Sequence, residues 1–139
     1  MDQAQEISEI SFFQDNGWSM WPFLRGKEKL IVKKISISDL RVGDLMLYKA
    51  DKNLICHRLV KKTQDKNRYI IYARGDASLG LPDLVKEEMF LGKVIGVVKN
   101  NKIIYRDGPR QRFINRIILV ILPLVNLMGR AYAFLFVRR

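Results

Sequence analysis

The stretch Leu45–Arg74, "LMLYKADKNLICHRLVKKTQDKNRYIIYAR", decides the fold. Its three segments LMLYKA, LICHRLVKKT and RYIIYAR are rich in apolar, β-branched and aromatic residues and read as strands. Asp-Lys-Asn separates them at 51–53 and again at 65–67, the composition of a short hairpin connection. Working outward, "KLIVKKIS" from Lys29 predicts an earlier strand, and "SDLRVGD" (38–44) a turn with a polar start. "GDASLGLPD" (75–83) predicts a loop, with two glycines, a proline and two aspartates. "FLGKVIGVVKN" and "KIIYRDG" predict a last hairpin around Asn100-Asn101. Ahead of these, Ile7, Ile10 and Phe13 stand at helical spacing and predict a short amphipathic helix. Short strands joined by turns give a mainly β class, an antiparallel and partly closed β-domain. The expected layout is an acidic segment over 1–16, the β-domain over 17–108 and a basic, hydrophobic C-terminal segment over 109–139.

The 139 residues are enough for one domain with a real core. A hydrophobic content of 48% with 28% charged residues excludes a disordered chain. The net charge is +11, from 25 Lys and Arg against 14 Asp and Glu. It is unevenly placed: Asp2, Glu6, Glu9 and Asp15 precede the first basic residue, Arg25. The rest of the chain favours an anionic partner, whether nucleic acid, an anionic membrane face or an acidic peptide. No basic stretch is interleaved with aromatic residues in the stacking pattern, so no specific nucleic acid is expected. One cysteine, Cys56, leaves no internal disulfide to form. The N-terminus does not read as a cleavable signal peptide.

The segment "INRIILVILPLVNLMGRAYAFLFVRR" (114–139) differs in kind. As a helix, residues 117–137 would reach roughly 31 Å, about a bilayer core. Pro123, Asn126 and Arg130 interrupt it, and an arginine at a bilayer centre costs on the order of 2.5–3.5 kcal/mol. The segment therefore spans, dips in or lies along the interface, or packs on the β-domain as an ordinary C-terminal helix. Ile118 and Leu122 in its apolar run, Arg116 just before it, and Trp18 are the expected membrane contacts. If it spans, Lys102, Arg106, Arg110, Arg112 and Arg116 on one side outnumber Arg138 and Arg139 on the other, placing the domain on the cytoplasmic face of the cell membrane.

A serine hydroxyl is a poor nucleophile until a base takes its proton. The one histidine is His57, and Asp76 and Asp83 are aspartates able to orient it. Ser19, set among Trp18, Met20 and Trp21 in "GWSMWPF", is the serine whose position asks for a reason. These residue types alone are weak grounds, because most chains contain such a trio. Lys49 or Lys61 is an alternative base, since a buried lysine is readily neutral. No metal or cofactor is expected: Cys56 and His57, adjacent on a strand, project to opposite faces.

The surrounding boxes sharpen the reading. Gly17-Trp18-Ser19-Met20-Trp21-Pro22 resembles the Gly-x-Ser-Met-x-Pro nucleophile box of the type I signal peptidases and related LexA-type serine peptidases. "LRVGDLMLYKADKNLICHRLVKK" resembles the strand pair that carries their general base. His57-Arg58 followed by Leu59-Val60 matches the histidine version found in endoplasmic-reticulum and archaeal-like members. "YARGDASLGLPDLVKEEMFLGKVIGVV" resembles their last box, with Gly75-Asp76, then Asp83, then a Leu-Gly-Lys-Val strand. The resemblance covers residues 16–99, roughly.

The resemblance implies the β-fold of that family and a membrane-associated serine endopeptidase acting on a precursor or leader peptide. Ser19 would be the nucleophile and its backbone N–H the oxyanion donor. His57 would be the base, with Asp83 or Asp76 accepting from its other nitrogen; Asp83 is favoured for that contact and Asp76 for loop structure, and both aspartates matter. Met20, Trp21 and Pro22 would line the substrate groove, small side chains being taken on the acyl side. The same aromatic residues equally suit a core. The chain departs from the family at Gly26-Lys27, where Gly-Asp is usual, and in placing its anchor candidate after the domain. The competing expectations are an inactive peptide- or membrane-binding module with the same fold and, below it, a basic nucleic-acid binder.

Overall fold

The computed structural model describes residues 10–14, 17, 19–21, 24 and 26–136. Among them, eight strands form one antiparallel sheet, curled into a half-barrel. These are β1 (Ile10–Gln14), β2 (Lys29–Lys33), β3 (Leu45–Ala50), β4 (Asn53–Asp65), β5 (Arg68–Arg74), β6 (Asp83–Val85), β7 (Phe90–Lys99) and β8 (Lys102–Tyr105). The order across the sheet is β1-β2-β7-β3-β4-β5-β6, with β8 pairing the far end of β7. A C-terminal helix, α1, runs over Pro109–Phe136.

The three central segments form the expected strands. Two-residue hairpins join them, with Ala50 opposite Asn53 and Asp65 opposite Arg68. The two Asp-Lys-Asn tripeptides turn in different registers: Asp51 takes the left-handed conformation in the first, and Lys66 in the second. Asn100 and Asn101 both have positive φ, as a tight hairpin between twisted strands requires. β4 is long because it serves two partners, β3 over 53–58 and β5 over 58–65. An irregularity near Leu59–Lys61 bends it where the pairing changes hands. His57 and Arg58 sit at that handover.

Alternate residues of β3 divide the core. Leu45 and Leu47 join Met20, Leu24, Leu30, Val32, Cys56, Val94 and Val97 on one face. Met46 and Tyr48 join Leu40, Leu59, Ile71, Ala73 and Val85 on the other. Lys62 donates from Nζ to the carbonyls of Ile37, Ser38 and Leu40 and closes the 35–40 loop over the second cluster.

Two expectations are corrected. Residues 10–14 are a strand, not part of a helix. β1 pairs with β2, and its period-two pattern turns Phe13 toward the core while Ile10 and Phe12 face outward. The ladder offered by the open β2 edge overrides the helical spacing, and it makes this stretch part of the β-domain. The second correction concerns Ile118, expected at the membrane. It is buried against the domain, with Leu122 half-buried on the same helical face; Arg116 is exposed.

Helix α1 is long and apolar enough to cross a membrane. It opens on Pro109, whose missing N–H costs nothing in a first turn. Its root is held electrostatically. The buried Lys93 Nζ lies 3.2 Å from Asp44 Oδ2 and 3.0 Å from Asp107 Oδ1. Burial alone would raise the Asp107 carboxyl. The hydrogen bonds from Lys93 and the Gly108 N–H, with the charges of Lys93 and Arg112, outweigh it and hold the group below the ordinary carboxylate value.

A carboxyl depressed in the folded state contributes stability above its unfolded pKa and loses it as pH falls through the folded one. Stability is therefore expected to decline from about pH 5 downward in part through Asp107. Asp107→Asn should lower stability modestly at neutral pH and flatten the acid decline, read from urea midpoints across that range; an unchanged acid slope would contradict the assignment.

Candidate active site

Ser19 lies in a turn anchored from both sides. Met20 and Leu24 are buried in the core, and the Leu24 N–H donates to the Met20 carbonyl at 3.0 Å. From the opposite side the Ala77 N–H donates to the Ser19 carbonyl at 2.8 Å, and the Asp76 N–H to Met20 Sδ at 3.4 Å. Gly75 permits this approach: a Cβ there would meet the Ser19 carbonyl oxygen at 2.6 Å and Ser19 Cβ at 2.8 Å. Real side-chain atoms do not come so close, so only glycine fits beside the serine.

His57 reaches the turn from β4. Its Nε2 lies 3.1 Å from Ser19 Oγ, and its Nδ1 lies 3.1 Å from Asp83 Oδ2. Asp83 opens β6, which pairs with β5, so three segments far apart in sequence bring serine, imidazole and carboxylate into one line. The imidazole is 11% exposed and Asp83 54%, so the imidazole is shielded while its carboxylate partner stays wet.

Tyr48 completes the arrangement, and no motif in the sequence pointed to it. Its hydroxyl donates to Asp83 Oδ2 at 3.0 Å and lies 3.0 Å from His57 Nδ1. Hairpin register contains the signal. Met46 pairs with His57 across β3 and β4, so Tyr48, two residues on, lies diagonal to the histidine on the same face. Burial, the hydrogen bond to Asp83 and the charge of Asp83 push the Tyr48 phenol well above its ordinary value, so it stays protonated. Donor counting then fixes the imidazole. An ionised Asp83 only accepts, and the single phenolic proton goes to it. The Tyr48 oxygen and Asp83 can both accept the Nδ1–H, which leaves the Nε2 lone pair facing the Ser19 hydroxyl.

Asp76 has a different place. Its carboxylate takes a bidentate pair of hydrogen bonds from Arg58, Nε to Oδ1 at 2.8 Å and Nη2 to Oδ2 at 2.7 Å. Arg58 Nη1 also donates to the Gly43 carbonyl and to Asn115 Oδ1 of α1. Arg58 and Asp76 are both buried. Asp76 therefore shapes the loop that carries Gly75 and Ala77, and Asp83 is the carboxylate at the histidine.

Of the expected groove residues, Met20 is corrected to a core residue at 1% exposure, while Trp21 is exposed beside Ser19. Pro22 and Trp18 lie outside the described residues. Lys49 and Lys61 are exposed strand residues, the latter over the Tyr72 ring, and no contact joins either to Ser19. The described residues contain no grouped metal ligands. A cleft between the β4–β5 turn and residues 84–88 includes none of Ser19, His57 and Asp83.

Removing one member of a buried ion pair leaves an uncompensated charge and typically costs about 3–5 kcal/mol. Arg58→Met is expected to lose stability on that scale in urea unfolding. Arg58→Met combined with Asp76→Leu should recover part of it, because neither charge is then stranded; strict additivity of the two losses would contradict the pairing.

Comparison with family models, with curated proteins and with solved structures returns no match to the chain.

Proposed function

We propose that the protein is a serine endopeptidase of the signal-peptidase type that cleaves a precursor or leader peptide near a membrane. The observation that carries the reading is the line Ser19 Oγ, His57 Nε2, His57 Nδ1, Asp83 Oδ2, with 3.1 Å at each junction. The resemblance of three ordered sequence boxes supports it.

In this reading Ser19 Oγ attacks the scissile carbonyl as its proton passes to His57 Nε2. Asp83 stabilises the imidazolium, and Tyr48, fixed as a neutral donor to Asp83, holds that carboxylate in register. The negative charge on the tetrahedral oxygen is taken by the Ser19 backbone N–H, a contribution of about 3–4 kcal/mol when such a donor is well aimed. His57 returns the proton to the leaving amine, and water, activated by the same imidazole, releases the acyl group. β6 ends the strand order among the described residues and carries Asp83, so an extended peptide adding along that edge would lie beside the candidate site. Trp21, Leu81 and Leu84 are exposed near it and offer an apolar rim for the peptide. If α1 spanned, the positive-inside asymmetry would put the site on the cytoplasmic face of the cell membrane.

Ser19→Ala and His57→Ala are each expected to abolish cleavage of a candidate precursor and labelling by a fluorophosphonate probe, with the fold unchanged by circular dichroism. Cleavage surviving either change overturns the mechanism. Peptide binding indifferent to Ser19→Ala, without turnover in the parent chain, assigns the fold to a binding module instead. Asp83→Asn should lower kcat by about 10²–10⁴, because the imidazole is no longer held in the productive tautomer. Tyr48→Phe should cost less than Asp83→Asn. The raised phenol of Tyr48 should add no alkaline limb to the activity profile below its ordinary titration range.

A further inference from the structure

The outer side of α1 exposes a run of large apolar residues. At about 100° per residue, Asn115, Ile118, Leu119, Leu122 and Asn126 share one face. That face meets the domain. Arg58 donates to Asn115, and Ile118, Leu119, Leu122 and Asn126 border a small crevice with Arg58, Arg74 and Asp76. A Cβ on Gly43, at φ +98°, would meet Asn115 Cβ at 3.1 Å, so the helix sits close against the β3 entry turn. The opposite arc holds Phe113, Ile117, Val120, Leu124, Met128 and Leu135, all exposed. Arg112, Arg116 and Arg130 fall together on one flank between the two arcs.

Three features oppose a transmembrane placement of this helix, although its length permits one. First, the stretch between Arg116 and Arg130 rises only about 20 Å, well short of a hydrocarbon core of about 30 Å. Second, the domain's charged groups accompany the helix as far as Asn126, so a spanning helix would draw Arg58, Arg74 and Asp76 toward the bilayer interior. Third, the three arginines share one flank, so all reach headgroups at one surface when the helix lies in plane, whereas a span entered at Arg116 would carry Arg130 into the hydrocarbon.

We propose that α1 lies in the plane of an anionic membrane surface, its Phe113–Leu135 arc sunk among the acyl chains. Arg112, Arg116 and Arg130 contact headgroup phosphates, and the β-domain stands on the opposite face of the helix. The arginine flank selects anionic lipid over a second copy of the chain, because paired arginine rows would repel. The inference rests on the membrane part of the function proposed above, not on the chemistry at Ser19, so the Ser19→Ala chain serves for the test.

The experiment adds that chain to preformed vesicles of phosphatidylcholine with phosphatidylglycerol, and of phosphatidylcholine alone. Flotation should favour the anionic vesicles and weaken with salt. Replacing Arg112, Arg116 and Arg130 together by Gln should weaken binding roughly a hundredfold, at about one kcal/mol per basic residue. A fluorophore on Leu124→Cys should shift to the blue on anionic vesicles. Ala133→Cys should react from outside with a membrane-impermeant maleimide, with the parent chain, whose cysteine is buried, as background. Protection of Ala133→Cys until detergent is added means a spanning helix and overturns the proposal. A dimer in solution that binds neither vesicle overturns it too and gives the face to a second copy. Equal binding to both vesicle types removes the role of the arginine flank.

Discussion

A guanidinium taken out of water must find acceptors for its donors, and the place where Arg58 finds them organises the whole site. Arg58 follows His57 directly on β4, so the two side chains leave the strand on opposite faces. Sending Arg58 inward to Asp76, the Gly43 carbonyl and Asn115 turns His57 toward Ser19. The same ion pair holds Asp76 in place, and with it the flanking Gly75 and Ala77 that grip the Ser19 backbone. One buried pair therefore ties β4, the Ser19 turn and the root of the helix into a single unit. An apolar substitute of similar volume would cost little in stability alone. It would not aim at a chosen carboxylate with two parallel hydrogen bonds, and that directionality sets the register of the other parts.

The sheet was readable because hairpins advertise themselves locally: apolar strands, polar turns and the Asn100-Asn101 pair each carry their own signal. The N-terminal stretch was not, because β1 exists only by pairing with the edge of β2, a long-range contact that leaves no mark in the spacing of Ile7, Ile10 and Phe13. The trio of Ser19, His57 and Asp83 was proposed through ordered boxes, and the structure brings those side chains within hydrogen-bonding distance. What composition could not separate was the work of the two aspartates. Asp76 and Asp83 stand in the same loop-like stretch, and only the fold sends one to an arginine and the other to an imidazole. Met20 was misread for a related reason. A residue next to an exposed serine in a turn can point the other way, and a large apolar side chain that finds a core does so. Tyr48 was missed because its relation to His57 is a diagonal across two strands, visible once register is assigned and silent in a linear motif.

The proton inventory explains why a tyrosine belongs beside this pair. A carboxylate that is more than half exposed competes with water for the Nδ1–H and holds its geometry poorly. A second donor to the same oxygen restricts where Asp83 Oδ2 can sit. A donor that ionised would repel the carboxylate it is meant to hold. The raised titration of the Tyr48 phenol and its position are thus two consequences of one packing decision, the burial of the ring in the second core cluster.

The charge excess finds its place in the same economy of burial. Of the basic side chains, Arg58 and Lys93 are spent inside, each against aspartate, and neither is available to an anionic partner. The exposed remainder includes the arginine flank of α1, which borders an apolar arc and not an aromatic-basic groove. A surface that alternates arginine with Phe113, Ile117 and Val120 has little use for a nucleic-acid backbone, which needs charge without grease. It suits an interface where phosphate lies above hydrocarbon. The Arg58–Asn115 hydrogen bond then couples this surface to the strand that carries His57, so the orientation of the helix is also the orientation of the site.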